Sequence, residues 1–208
     1  MNDGREAFLA ATNVSRETMG RLDAYAALLS KWSSRINLVA QGSVAQLWTR
    51  HFLDSAQVFD QAPENFRYWV DFGSGGGFPG AVAAIVAAEK RTNANFALVE
   101  ADQRKAAFLR ALAREVGVQF TVISRRVEDL DPMAADVISA RALAPLPKLL
   151  DYANKHLAQG GTALFPKGAR FAEELANARK TWSFQAETVA SVTDKEAAIL
   201  KIGEIERV

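Results

Sequence analysis

The chain has 208 residues, enough for one well-packed domain with a small extension. Hydrophobic residues make up 49% and charged residues 24%, an ordinary globular composition with no disorder expected outside the ends. There is no cysteine and there are only two histidines, His51 and His156, which excludes disulfides, thiolate zinc sites and cysteine nucleophiles and makes a metal site unexpected. A net charge of +1 gives no global argument for nucleic acid, yet residues 141–180 carry 7 basic and 3 acidic side chains against 6 and 7 in residues 1–66. That imbalance permits a local basic face. The polar, acid-bearing N-terminus does not read as a signal peptide, and the longest uncharged stretch, Phe72 to Ala88, is too rich in glycine to span a membrane. A cytoplasmic protein is expected.

In chain order, a short helical segment at Glu6–Ala11 is followed by Ser15–Ser34, where Leu22, Tyr25, Ala26, Leu29 and Trp32 recur at helical spacing. Leu47, Trp48, Phe52, Leu53, Ala56 and Phe59 mark another helix. Together they predict a helical cap over residues 1–63, packed on a main domain over 64–208. From there the pattern alternates. Strand-like runs at 68–72, 96–100, 120–124, 137–139 and 162–165 are separated by helical stretches at 79–89, 102–116, 145–157 and 170–180. Such alternation predicts an α/β fold with a parallel, doubly wound sheet and helices on both faces. The last two runs, 184–192 and 197–202, leave no room for a helix and predict a closing antiparallel hairpin. The expected whole is a Rossmann-like, mostly parallel, seven-stranded sheet of the kind found in class I methyltransferases, with an N-terminal helical extension.

The segment Trp69-Val-Asp-Phe-Gly-Ser-Gly-Gly-Gly-Phe-Pro-Gly80 sets an acid and a glycine loop between a strand and a helix. Glycine lets the backbone take positive φ and approach a ligand that a Cβ would repel. Two registers fit. Gly75, Gly77 and Gly80 give the Gly-x-Gly-x-x-Gly of dinucleotide folds, and Asp71, Gly73, Gly75 and Gly77 give the Asp-x-Gly-x-Gly-x-Gly of enzymes that use S-adenosylmethionine. The second is preferred, because in the first Pro79 falls within the turn that should cradle a pyrophosphate.

Glu100-Ala-Asp102 closes the next strand, where a carboxylate can accept both ribose hydroxyls of an adenosine. Glu100 is the expected ribose ligand, with Asp102 a helix cap or secondary contact. After the third strand, Val127 and Glu128 can face an adenine ring, while Arg125 and Arg126 suit phosphate. Arg141, after the fourth strand, offers a planar fork for phosphate or a base edge, and Lys167 stands on the same rim. Asn37 alone reads as a capping asparagine and His51 as a half-buried histidine.

Trp32-x-x-x-Ile-Asn-Leu38, Arg50-His-Phe-Leu-Asp-Ser55, the loop ending Phe78-Pro-Gly80, Arg126-Val-Glu128, Asp136-Val-Ile-Ser-Ala-Arg-Ala142 and Lys167-Gly168 resemble the ribosomal RNA small subunit methyltransferase G family, also called glucose-inhibited division protein B. The resemblance runs from about residue 22 to 170. It implies methyl transfer from S-adenosylmethionine to N7 of a guanine in the helix 18 loop of 16S rRNA, with rRNA or the small subunit as partner and the protein a monomer. Carried over, the cofactor contacts are Gly73, Phe78, the segment Glu100, Ala101 and Asp102, Val127, Glu128 and Arg141, and Ser74, Gly75 and Gly77 are expected beside them as members of the glycine loop. Substrate contacts are Asn37, His51, Arg126, Arg141 and Lys167. Pro166 and Lys195-Glu-Ala-Ala198 depart from the family pattern and bear on the RNA contacts. No acid or base is assigned, since guanine N7 carries no proton. The competing readings are a methyltransferase acting on a small molecule or protein and an NAD-dependent oxidoreductase. The latter lacks its Tyr-x-x-x-Lys pair, because Lys155 follows Tyr152 at a spacing of three.

Overall fold

The structure, a computed structural model, describes residues 3–40 and 42–208. Helices α1 (Asp3–Thr12) and α2 (Arg16–Ser33) open the chain. Ser15 caps α2, its Oγ accepting from the Thr18 amide at 3.2 Å. The helix predicted over 47–59 is two pieces instead, a π-helical turn at Trp48–Leu53 and α3 (Asp54–Phe59), and a 3₁₀ turn at Ser43–Gln46 precedes them. Apolar periodicity survives such a widening, so the sequence pattern does not reveal it.

The strands are β1 (Tyr68–Phe72), β2 (Asn95–Val99), β3 (Thr121–Ile123), β4 (Ala135–Ala140), β5 (Leu157–Lys167), β6 (Trp182–Ala190) and β7 (Ala198–Arg207). Between them lie α4 (Gly80–Lys90), α5 (Gln103–Val116), α6 (Leu146–His156) and α7 (Phe171–Ala178). They form one sheet in the order β3-β2-β1-β4-β5-β7-β6, as expected for the α/β class. The first five strands pair in parallel, and β7 runs antiparallel between β5 and β6. Two boundaries differ from expectation. β5 begins at Leu157 directly after α6, and its pairing with β4 shifts register between Ala135↔Leu157 and Val137↔Thr162, a stretch that holds Gly160 at φ +76. β7 runs on to Arg207, its outer half paired with β6 alone.

Side chains alternate across β1, so Trp69 points to one core and Val70 and Phe72 to the other. The first core takes α1 to α5: Phe8, Tyr25, Leu29, Phe52 and Phe59 pack with Trp69, Val82 and Phe108. The second gathers Leu146, Leu150 and Trp182 over Phe72, Ile138, Phe165 and Leu200. His156 sits fully buried in this region with its ring 5.2 Å from Phe72. The helical layer therefore buries its aromatics against the sheet's own helices, each such side chain contributing roughly 1.5–3 kcal/mol. Among the described residues no helix is long and apolar enough to cross a membrane, and no group of three or more His, Asp or Glu side chains is placed to hold a metal.

Candidate active site

From β1 the chain winds outward through β2 to β3, then crosses to β4 and winds the other way. A crevice opens at this reversal, beyond the C-terminal ends of β1 and β4. On the β1 side the backbone turns through Gly73, Gly75 and Gly77, all at positive φ. The space before Gly75 is open: a Cβ there would meet only the Gly73 carbonyl, at 3.8 Å. Gly80 serves packing, since its Cβ position lies 2.5 Å from the Asp71 Cβ. Ser74 is buried, its hydroxyl donating to the Asp71 carbonyl at 3.0 Å.

Asp71 lies beneath this loop, fully buried. Trp69 Nε1 donates to Ser139 Oγ at 2.8 Å, and Ser139 Oγ donates to Asp71 Oδ1 at 2.6 Å. Oδ2 faces the Gly80 backbone without a hydrogen bond of good geometry. Burial, opposed by the Ser139 bond, pushes the carboxyl pKa up to about 6.

The Glu100 carboxylate spans two backbone segments, Oε2 accepting from the Gly75 amide and Oε1 from the Asp102 amide, both at 2.8 Å. A carboxylate has about four acceptor sites, so capacity for ribose hydroxyls remains. Asp102 caps α5, its Oδ1 accepting from the Arg104 and Lys105 amides at 2.8 and 3.1 Å. Those two amide bonds, Lys105 first, hold its carboxyl below the ordinary value. Ala101 is exposed between the two acids. Val127 is buried, whereas Glu128 leans to α6, accepting from the Tyr152 hydroxyl, which lowers its pKa. Arg125 folds onto the Asp129 carbonyl, and Arg126 is exposed. Glycine ledge, acidic strand end and apolar turn together fit an adenosine with a cationic methyl donor.

Beside this ledge lies a cavity of about 1170 Å³, walled by the helical layer, the β4–α6 loop, α7 and the β6–β7 loop. None of Gly73, Gly75, Gly77, Glu100 or Val127 lines it. Leu143 stands between the compartments: it lines the cavity, and its Cδ1 lies 2.6 Å from where a Gly73 Cβ would be.

Arg141 faces the cavity from β4. Its Nη1 donates to Asp54 Oδ2 at 3.0 Å and to the Arg50 carbonyl at 3.2 Å, while Nη2 donates to His51 Nδ1 at 2.9 Å. Its guanidinium carbon lies 5.0 Å from the Phe78 ring centre. Because arginine only donates, His51 Nδ1 must accept, and the ring proton sits on Nε2. Nε2 donates to Ser43 Oγ at 3.0 Å, and Ser43 donates to the Ala40 carbonyl at 2.7 Å. Desolvation, with Arg141 and Arg50 adding repulsion, lowers the His51 pKa to about 4.

Stability carried by neutral His51 is complete above the unfolded pKa of 6.5 and is lost as pH falls towards 4. The raised carboxyl of Asp71 acts oppositely, gaining stability as pH falls from about 6 towards 3.8. Substitution His51→Gln is therefore expected to flatten the fall in thermal midpoint between pH 7.5 and 5 relative to wild type. An unchanged slope would mean that His51 is not held neutral.

Four expected site residues sit in surroundings that the sequence does not reveal. Asn37 does not share an entrance with His51: it is exposed, lines a separate shallow depression with Leu38, Val39 and Ala40, and follows a helix that Ser34 closes. The Phe78 ring is buried beneath the glycine loop, stacked 5.5 Å from Tyr25 and 4.9 Å from His51, with its Cε2 3.2 Å from where a Gly76 Cβ would be. Arg141 lines the cavity, with its guanidinium over the Phe78 ring that underlies the glycine loop. Lys167 lines the same cavity as Arg141, but it is only 9% exposed and donates to Glu174 at 2.7 Å and to the Ala144 carbonyl at 3.1 Å. Sequence reasoning missed Tyr25, whose hydroxyl donates to the Gly76 carbonyl, as well as Asp54 and Glu174. Only Asp54 left a signal, three residues after His51 on the same helical pattern.

This sheet order, with a glycine loop after β1, an acid after β2 and an inserted β7, defines a Rossmann-like methyltransferase fold. Solved structures agree. Ribosomal protein L11 methylase from Lactobacillus delbrueckii subsp. bulgaricus aligns with TM-score 0.59 at 16% identity, covering 79% of this chain and 81% of its own. A TehB-like SAM-dependent methyltransferase from Corynebacterium glutamicum gives 0.57 at 15%, covering 85% and 97%. The chain belongs to the GidB family, rRNA small subunit methyltransferase G, whose model matches residues 18–202. A ribosomal RNA small subunit methyltransferase G from Ruegeria pomeroyi is 55% identical over 94% of this chain and 96% of that protein. Its counterpart from Paramagnetospirillum magneticum is 47% identical over 98% and 97%.

Proposed function

We propose that this protein transfers the methyl group of S-adenosylmethionine to N7 of a guanine in the helix 18 loop of 16S rRNA. The observation that carries the chemistry is the junction at Leu143, where a glycine ledge meets an arginine-bearing cavity at the switch point of the sheet. Family membership carries the substrate. S-adenosylmethionine supplies, when bound, an electrophilic methyl on a sulfonium sulfur. On the ledge, the backbones of Gly73, Ser74, Gly75, Gly77 and Phe78 approach the donor. Glu100 receives the ribose, with Ala101 and Asp102 beside it, and Val127 and Glu128 border the adenine.

The guanine enters from the cavity. Its N7 lone pair needs no general base, so the residues align rather than exchange protons, an effect that supplies up to roughly 7–11 kcal/mol in favourable cases. A guanidinium bonded to both O6 and N7 would occupy that lone pair. Arg141 therefore contacts O6 or phosphate, through Nε and the remaining Nη2 proton, which have no partner among the described residues. Arg126 and His51 border the RNA path, Asn37 meets it in the outer depression that adjoins the cavity at Ala40, and Lys167 holds the β4–α6 loop. The helical segment over 1–63 acts as a cap on the domain over 64–208. The protein works as a cytoplasmic, metal-free monomer.

The test has two parts. S-adenosylmethionine at about a hundred times its Kd should raise stability by about 2.7 kcal/mol and the thermal midpoint by roughly 5–10 °C, and NAD should not. Mass mapping of 16S rRNA should then show the methylated guanine in cells with the protein and an unmodified base without it. A shift with NAD alone would favour an oxidoreductase. A shift with the methyl donor but unaltered rRNA would favour another substrate.

A further inference from the structure

Asp54 is a cavity-lining carboxylate that ties the helical layer to both Arg141 and the β6–β7 loop. Its Oδ2 accepts from Arg141 Nη1 at 3.0 Å. Its Oδ1 accepts from Thr193 Oγ1 at 3.0 Å and from Gln57 Nε2 at 2.9 Å. Gln57 extends the grip on the β6–β7 loop, Nε2 donating to Ser191 Oγ at 3.0 Å and Oε1 accepting from the Val192 amide at 2.9 Å. Ser191 and Thr193 close the cluster with a 2.9 Å bond between their hydroxyls. The Asp54 and Arg141 side chains are 19% and 20% exposed, so water competes weakly for either. Asp54, Gln57, Arg141, Ser191 and Thr193 all line the cavity.

Among the described residues, the hydrogen bonds that the β6–β7 loop makes outside its own hairpin all go to Asp54 and Gln57. The Asp54 cluster bolts it to α3, and the same carboxylate fixes the guanidinium that lies over Phe78 at the base of the glycine loop. The sequence places Asp54 within His-x-x-Asp-Ser, yet Asp54 touches no ledge residue.

We infer that Asp54 is a positioning residue: it aims Arg141 into the substrate cavity and, through Thr193 and Gln57, makes the β6–β7 loop a wall of the RNA-binding site. The inference rests on the rRNA reading above for its kinetic consequence, and on geometry alone for the clamp.

Asparagine is the informative substitution, because both carboxylate oxygens act as acceptors and an amide retains only one. In Asp54→Asn the Arg141 side or the loop side must face an NH₂ group, with little change of shape. On the full chain, Asp54→Asn is expected to lower kcat/KM for rRNA about tenfold or more while the Kd for S-adenosylmethionine changes less than about twofold. In an Arg141→Lys background, the same substitution should cost several-fold less than in the wild-type background, since the part acting through the guanidinium is already gone and only the part acting through the β6–β7 loop remains. Equal losses in both backgrounds, or wild-type kinetics, would overturn the positioning role.

Hydrogen exchange reads the clamp without reference to activity. The Val192 and Thr193 amides should exchange about tenfold faster or more in Asp54→Asn, with distant β1 amides unchanged. Unchanged exchange at both would overturn the clamp. A protein that leaves rRNA unmodified yet shows this local release would retain the clamp and lose the rRNA reading instead.

Discussion

Arg141→Ala should reduce methyl transfer to rRNA by about 100- to 1000-fold while leaving the affinity for S-adenosylmethionine nearly unchanged. Truncating one member of a buried, hydrogen-bonded charge pair costs about 2–5 kcal/mol, and each 1.36 kcal/mol is tenfold in rate. Here the guanidinium serves Asp54, His51 and the Arg50 carbonyl at once and lies over Phe78. Its loss leaves Asp54 without its cation and the cavity without its fixed donor. Lysine restores charge but not the fork, so Arg141→Lys should recover no more than about tenfold of the loss. Steady-state kinetics with rRNA, beside calorimetric binding of the methyl donor, decide the matter. Near-wild-type turnover in the alanine variant would remove Arg141 from the site, and lost donor affinity would return it to the ledge.

Gly80→Ala should lower stability by roughly 2–6 kcal/mol. Overpacking costs about 1–3 kcal/mol, and a buried polar group stripped of its partner costs about as much again. The new Cβ would lie 2.5 Å from the Asp71 Cβ and 2.7 Å from its Oδ2, and neither the β1 backbone nor the start of α4 has room to yield. Displacing Asp71 breaks its bond from Ser139, which in turn holds the Trp69 indole. For a chain of this size the thermal midpoint should drop by at least about 5 °C. Gly20→Ala is the matched contrast: nothing lies within 4 Å of its Cβ position on the exposed face of α2. That change should raise stability by about 0.5–1 kcal/mol. Denaturant unfolding of both variants checks the pair, and an unperturbed Gly80→Ala would show that Asp71 can move aside at no cost.

Much of the fold is legible in the sequence because its signals are local. Asp102 caps α5 as its position before a helical run implies, and Gly73, Gly75 and Gly77 take the positive φ that only glycine adopts freely. The alternation from Tyr68 onward gives the sheet its parallel strands and the last two runs their hairpin. Local signals end at β7: the run predicted to close at Ile202 continues to Arg207, because cross-strand pairing with β6, not hydrophobicity, holds its outer half. The π-helical turn at Trp48–Leu53 is equally silent, since inserting one backbone position leaves apolar spacing nearly unchanged.

The sequence by itself determined the class of fold, the glycine ledge and the family, because each rests on residues close together in the chain. Only the tertiary structure decided where the long side chains go. Arg141 turns to Asp54 and His51, Lys167 turns inward to Glu174, the Phe78 ring packs on Tyr25, and Asn37 lies apart from the cavity. A charged side chain has many rotamers of similar energy, and the partner that fixes one arrives from a distant segment: Asp54 is 87 residues from Arg141. Partial burial then makes that choice binding, since a charge largely withdrawn from water costs more unpaired than the entropy of holding it in place.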